Sequence, residues 1–457
     1  NPAYPEGKRV FDYAGLDLRP FSRGAMVSLP SRNWLVADPR NEPRAMWQAI
    51  RSPIGSVSAK LRFAWYALAR ERMSASEVIG QNDCTALEAL RAAGIDDELT
   101  DSMIRPFLSG VFLEPDLVTS RRFMDLVLRS FVRGTPSVPA QGMRALPEQL
   151  AAALPQGSVR TSASVSSIRG TGPLQVTTDF GEVTARAVVI ATDPRSVSAL
   201  LDGFTAPAMN SVTTWYHRAT QAPSELAGGS PVLVVDGRGP GRAGPLVNSV
   251  VVSNAAATYA PAGVALVSSS ALGVHESAAD DQAALTHAAA LHRASTAGWE
   301  LVGKFVIPDA LPATPAPLHV RKEVRFGDVR YIAGDHRDTP RIQGAPVCGR
   351  RAASPARSPR RRRPRARLTV PETRPDVVAA ARQCFFIHQE LGEPECARAV
   401  FARHLSRRRD PALELHAATL LPPIPSSAAH VARWRDRFRR NVAALADDPP
   451  TLADPGQ

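Results

Sequence analysis

The amino-acid sequence predicts an α/β fold combined with an α+β portion and a small α-helical tail. Three observations carry this. Apolar residues recur at three- and four-residue spacing through 45–128, and short alternating or β-branched runs dominate 159–332. The chain then reads AGDHRDTPRIQGAPVCGRRAA at 333–353, the end of a strand, a loop and the start of a helix.

Taken in order, AKLRFAWYALARERM (59–73) and CTALEALRAAG (84–94) are helical, the second ending on a C-cap glycine. Pro106 and Pro115 are expected to bracket a short apolar turn, FLSGVFL, between helices. GMRALPEQLAAALP (142–155) reads as one amphipathic helix, with Pro147 tolerable only near its start. VRTSASVSSI (159–168) alternates as a strand, LQVTT (174–178) follows, Gly181 turns, and VTARAVVIAT (183–192) is a β-branched strand. SVTTWYHR, PVLVVDG, LVNSVVVS and GVALVSSSA continue the strands across 211–271, before a helix at 280–297. KEVRF and VRYIAGD form a last strand pair leading into the 333–353 motif. Beyond it, 374–405 reads as two helices joined at Gly392–Pro394, and 426–445 as a third.

Composition narrows the function classes. The chain has 457 residues, 44% of them apolar, which is ordinary for a globular protein. No apolar run approaches the roughly 18–20 residues needed to span a bilayer. Four cysteines without short pairing point to a reducing compartment, and the start NPAYPEGKRV has neither the basic nor the apolar region of a signal peptide. A cytoplasmic location is expected. The net charge of +12 is concentrated: nine Arg and no acid lie between Arg350 and Arg367, leaving about +3 for the rest. That stretch lacks aromatics and is broken by Pro, so it reads as a solvated linker over 354–367 that binds phosphates weakly and without sequence preference. It is expected to be cut first by trypsin, and no specific nucleic-acid partner is expected.

One GxGxxG string occurs, Gly239 to Gly244, but PLVNSVVVS after it is strand. A dinucleotide fingerprint needs a helix N-terminus there, so this is a hairpin loop. Cys384, His388, Cys396 and His404 sit at helical spacings in apolar segments and not as the short pairs of a zinc site, so no metal is assigned. No GxSxG, HExxH or P-loop string occurs.

The 333–353 motif carries more chemistry. Asp335, just after Gly334 at the end of a strand, can accept hydrogen bonds from a ribityl or ribose hydroxyl beside a pyrophosphate. Free N–H groups near Gln343, Gly344 and Ala345, at a helix start, can stabilise negative charge on a reduced isoalloxazine.

This motif resembles the C-terminal FAD motif of the flavin amine oxidase, phytoene desaturase and protoporphyrinogen oxidase superfamily: strand, AGD, short loop, P-S-I-x-G-A, helix. VPAQGMRALPEQLAAALP, VRTSASVSSI and VVIATDP are similar to the family's middle segment. LSGVFLEPDLVTS, LRSFVRG and ALPATPAPL match its bacterial branch. The resemblance covers roughly 1–353. It implies an FAD-dependent oxidoreductase that takes hydride from a small-molecule substrate. FAD would be held by Val165 (adenine), by Gly334 and Asp335 (ribityl–pyrophosphate), and by Gln343, Gly344 and Ala345 (pyrimidine edge). Read without the resemblance, Val165 is a core strand residue. The resemblance assigns no catalytic residue, substrate identity, electron acceptor or oligomeric state.

It also implies an organisation: 1–138 a helical substrate or cap region, 139–204 the middle FAD segment, 205–325 a β-rich substrate domain, 326–353 the C-terminal FAD segment, then the linker and a helical tail at 368–457. Three departures accompany it. The family's opening βαβ unit with GxGxxG is not found, which would impair FAD binding; Arg341 stands where Ser is usual, and Pro346 where an aliphatic residue is usual. Residues 372–457 resemble the linker between tetratricopeptide repeats and the transferase domain of O-GlcNAc-transferase-like proteins. An inactive scaffold, or an interaction protein using the tail and basic linker, is the alternative reading.

Overall fold

In the computed structural model, which describes residues 1–38, 40, 43–239, 244–357, 436, 438–443 and 447, the chain divides into two units, 1–359 and 360–457. The described residues of the second are helical. Most of the tail, its four Cys and His positions and the arginine tract beyond Arg357 lie outside the described residues.

The first unit opens with α1 (Pro5–Val10), β1 (Leu18–Pro20), β2 (Gly24–Ser28) and β3 (Asn33–Ala37). Strands β2 and β3 pair as a hairpin within a stretch expected to be helical, because β2 also pairs with Leu233–Asp236 in the main sheet and Val27 buries among apolar residues of the helices that follow. A helical layer follows: α2 (Pro43–Arg51), α3 (Val57–Arg72), α4 (Ala75–Gly80), α5 (Ala86–Ala92), α6 (Asp97–Leu99), a π-turn at Thr100–Ile104, α7 (Arg105–Phe112) and α8 (Arg121–Arg133). Ser56, Ser74, Thr85, Asp96 and Ser120 cap these helices with side-chain oxygens, and Glu77 and Glu88 close capping boxes. The expected FLSGVFL turn is instead helix α7. Pro106 sits in its first turn, where the missing N–H costs nothing, and Leu113 in the left-handed region ends it.

Next come β4 (Ser137–Pro139), which pairs with β1, then α9 (Ala145–Ala152), β5 (Val165–Arg169), β6 (Leu174–Thr178), β7 (Gly181–Ala185), β8 (Val188–Ile190) and α10 (Pro194–Leu200). The expected single strand VTARAVVIAT is broken in two: β7 closes an antiparallel β5-β6-β7 sheet, and β8 joins a different one.

The remaining elements are β9 (Met209–Ala219), β10 (Leu233–Asp236), β11 (Leu246–Val251), α11 (Val252–Ala255), β12 (Ala265–Leu272), α12 (Ala278–His292), β13 (Glu300–Pro312), β14 (Arg330–Ile332) and α13 (Gly344–Arg357). Seven strands form the main sheet in the order β13-β9-β12-β11-β10-β2-β3. The GxGxxG flanks form an antiparallel β10–β11 hairpin, Val234 opposite Ser249, as expected of a loop and not a nucleotide fingerprint. KEVRF contributes an isolated bridge, Arg325 to Tyr331, and β14 pairs in parallel with β8.

Side-chain alternation splits the main sheet into two faces. One, with Trp215, Val267 and Ala271, is sealed by α12; Trp215 Nε1 donates to Asp281 on that helix at 2.7 Å. The other carries Thr214, Tyr216, Ser268 and Ser270 and is only partly covered. Helix α7 lies on it: a Cβ added at Gly110 would meet Asn248 Nδ2 at 2.2 Å, so glycine is what permits this approach.

Candidate functional site

Strand β14 delivers Tyr331 and Ile332 into the core, and Ala333 and Gly334 follow directly after it. Gly334 has φ 156° and ψ 165°, and a Cβ there would lie 2.5 Å from His336 Nδ1, so another residue would open the turn. Asp335 follows in a single 3₁₀ turn. Burial pushes its carboxyl above the usual carboxylate range, against stabilisation from the His336 backbone N–H. The loop is held from outside by arginines. Arg337 Nε donates to the Glu323 carbonyl at 2.9 Å. Arg351 on α13 donates to the buried Asp338 carboxylate at 3.2 Å and to the Lys322 carbonyl at 2.8 Å.

The loop closes onto α13 at Gly344, where a Cβ would stand 1.8 Å from the Thr339 carbonyl oxygen. The N–H groups of Gly344 and Ala345 both donate to the Arg341 carbonyl, at 2.9 and 3.1 Å. The expectation that these amides are free is thereby corrected: the turn that starts the helix uses them. Pro346 falls in the first helical turn, where it is tolerated. The helix runs on to Arg357, past the expected end at Ala353, with Cys348 and Ala352 buried against Tyr331 and Val324.

The structure therefore gathers five of the six residues singled out from the sequence, Gly334, Asp335, Gln343, Gly344 and Ala345, on one strand–loop–helix unit. Val165 lies apart, 41% exposed at the start of β5. The far end of β5 is tied to β14 by Arg330, which donates to the Gly170 carbonyl at 2.6 Å.

Other residues here gave no motif signal. Gln343 turns its side-chain oxygen toward α1 and accepts the Glu6 N–H at 3.1 Å. Glu6 is buried and takes two hydrogen bonds from Arg350, at 2.9 and 3.1 Å, which hold its carboxyl below the usual range. Arg341 reaches away from its own loop, and its Nη2 donates to the Val111 carbonyl at the end of α7. That end also receives Asn210 of β9, whose Nδ2 donates to the Phe112 carbonyl at 2.9 Å. The C-terminus of α7 is thus where the AGD loop and the open face of the main sheet meet. Farther along that face Thr214, Tyr216, Phe305 and Ile307 line an open hollow of about 420 Å³, with Tyr216 and Phe305 edge to face at 5.8 Å. The acidic and basic partners are long-range pairs, |i−j| of 344 for Glu6 and Arg350, so no local pattern in the sequence marks them.

Two buried polar atoms of the loop, His336 Nε2 and Arg341 Nε, have no hydrogen-bond partner among the described residues. Beside the half-buried Asp335 these two atoms are left unmet, where a polar molecule would complete them. Among the described residues no group of three His, Cys, Asp or Glu is placed to hold a metal, and no helix is long and apolar enough to cross a membrane.

A parallel strand pair whose strand ends in a tight glycine turn and leads into a helix, beside an antiparallel sheet with an open face, is an α/β arrangement suited to holding a cofactor or small ligand. Residues 2–294 match the family described as flavin containing amine oxidoreductase. The chain belongs to that family, a family of flavin-dependent oxidoreductases whose cofactor is FAD. Solved structures agree on the fold. One, assigned as a protoporphyrinogen oxidase from Exiguobacterium sp. 255-15, is 18% identical with a TM-score of 0.53, covering 73% of this chain and 80% of that one. An oxidoreductase from Methanosarcina mazei is 12% identical with a TM-score of 0.56, covering 73% and 81%. No curated protein matches the chain. The likeness of the tail to the tetratricopeptide–transferase linker finds no support in these comparisons: the family match ends at 294 and nothing matches the tail as a transferase.

Proposed function

We propose that this flavin-dependent oxidoreductase oxidises a small organic molecule, at a C–H bond beside an amine or within a C–C unit, between the AGD loop and the open face of the main sheet. When bound, FAD supplies the acceptor for the hydride and passes the electrons to oxygen or another oxidant. Asp335 holds the ribityl–pyrophosphate region, next to Gly334, whose missing side chain lets the backbone come close. Gln343, Gly344 and Ala345 set the start of α13 at the pyrimidine edge, where the helix dipole favours negative charge although the Gly344 and Ala345 amides are used in the turn itself. The Val165 backbone serves the adenine. Tyr216 and Phe305 offer aromatic surface to the apolar part of the substrate. The domain organisation expected from the sequence and a cytoplasmic location belong to the same proposal.

The observation that carries this reading is the loop from Gly334 to Gly344: glycine at both points of close contact, and buried polar groups lacking partners. The test is titration of the purified chain with FAD, followed by flavin fluorescence, for wild type and Asp335→Ala. The variant is expected to bind at least tenfold more weakly, about 1.4 kcal/mol. Equal affinity would remove Asp335 from the site.

A further inference from the structure

We propose that Arg341 is the anchor for an anion, and that the substrate of this enzyme carries a carboxylate which the guanidinium binds. This rests on the reading of the site given above. Several arginines of the unit face an acid: Arg70 and Arg121 face Asp125, Arg238 faces Asp236, Arg351 faces Asp338 and Arg350 faces Glu6, while Arg122, Arg129, Arg330 and Arg337 donate to backbone carbonyls. Arg341 has no ion-pair partner among the described residues. Its Nε is closed off from solvent without an acceptor, and its Cζ lies 5.5 Å from the centre of the Phe123 ring. A guanidinium has five N–H donors, and one carbonyl, that of Val111, is accounted for here. Leaving a buried cation so poorly met is costly, and an incoming acceptor would recover that cost.

Position decides which acceptor. Arg341 reaches the end of α7, where Asn210 of the main sheet also arrives, so the group stands between the AGD loop and the open face. Tyr4 of α1's N-cap is within electrostatic reach; burial keeps its phenol protonated, and so a hydrogen-bond donor, well beyond neutral pH. One guanidinium with a neutral phenol balances a single negative charge. A carboxylate, with two oxygens matching the guanidinium fork, fits that count; a phosphate dianion would leave one charge uncompensated among Phe123 and its apolar neighbours.

The test uses the full chain with FAD added, and sodium benzoate and benzamide as probes of equal shape and different charge, read by isothermal titration calorimetry. Wild type is expected to bind benzoate at least tenfold more tightly than benzamide. Arg341→Met should abolish that preference, and Arg341→Lys should keep part of it. The wild-type comparison stands even if the Met variant folds poorly. Equal binding of the two probes by wild type, or an undiminished preference in Arg341→Met, overturns the proposal. So does a Met variant that keeps the benzoate preference but shifts the flavin reduction potential, since the guanidinium would then serve the cofactor. FAD binding in the same samples separates the two readings. Flavin bound without benzoate preference sinks the anchor alone; an Arg341-dependent preference without flavin binding sinks the flavin site alone.

Discussion

Two glycines five residues apart on α13 should respond in opposite directions to the same methyl group. At Gly344 an added Cβ would lie 1.8 Å from the Thr339 oxygen and 2.8 Å from its carbon and nitrogen, all backbone atoms. Real contacts stop near 3.0 Å, so the turn would have to open by about 1.2 Å. Thr339 cannot easily give way, because the neighbouring Asp338 is tied to Arg351. Overpacking of this kind costs about 3 kcal/mol. At Gly349 nothing lies within 4 Å of the added Cβ. There Ala gains its helix propensity, about 1 kcal/mol. For a cooperative unit of 359 residues, the specific unfolding entropy converts these to roughly 4 °C down for Gly344→Ala and roughly 1 °C up for Gly349→Ala. Differential scanning calorimetry reads both. The loop that Gly344 closes also carries Asp335, so FAD retention after gel filtration should fall for Gly344→Ala and hold for Gly349→Ala. A Gly344→Ala protein melting within 1 °C of wild type, with flavin retained, would show that the turn is not confined as described.

The remaining predictions concern charge. Asp335 is held above its usual range by burial, so the folded chain keeps its proton longer than the unfolded chain, and this residue's contribution to stability falls as pH rises from 3.8 through the folded value. Asp335→Asn without FAD should be the more stable protein at pH 7, and a urea midpoint at pH 7 no higher than that of wild type would contradict this. Glu6 has the opposite sign: Arg350 lowers its pKa, so its stabilisation is present above 4.5 and lost as pH falls through the folded value. Arg350→Met should cost about 1.5 kcal/mol near neutral pH, and less in acid, in urea unfolding. His292 and His336 are both pushed down to about 4 by burial, so stability should drop between pH 6.5 and pH 4 as the unfolded chain takes up protons that the folded one refuses. The shift at His292 is worth on the order of 3 kcal/mol, and a His292→Gln protein with the same acid profile as wild type would refute its part in that loss.

What was legible in the sequence followed from local rules. The apolar spacing of 59–73 and 84–94 and the C-cap glycine Gly94 mark helices from residues a few positions apart. The β-branched runs of β9, β10, β11 and β12 announce strands, and the strand after Gly239–Gly244 argues against a nucleotide loop. The errors arose where the deciding contact is distant. FLSGVFL is helix because α7 packs on β11, more than 130 residues away. VTARAVVIAT is cut in two because Ile190 belongs with Ile332, whose carbonyl and amide neighbours continue into the AGD loop. β13 escaped notice because its outward residues, Leu301, Val302, Phe305 and Ile307, are apolar and exposed, which blurs the alternation that marks a strand.

The same division explains the site. Gly334, Asp335 and Gly344 are readable because each answers a backbone demand made within a few residues: a conformation open to glycine, a strand end, a turn that closes on itself. The groups that hold the loop still are not, because a parallel pair of three-residue strands contributes little rigidity alone and the work passes to long side chains arriving from elsewhere. Arg337 and Arg351 fix Glu323, Lys322 and Asp338; Arg350 fixes Glu6, and Glu6 fixes Gln343. In a family motif each of these arginines reads as a surface charge on a helix or loop. Arg341 is the exception that a local reading does mark, since it stands where Ser is usual. The structure gives that departure a physical content: the shorter side chain would stop within its own loop, whereas the guanidinium spans to α7 and carries a positive charge to the edge of the open sheet face.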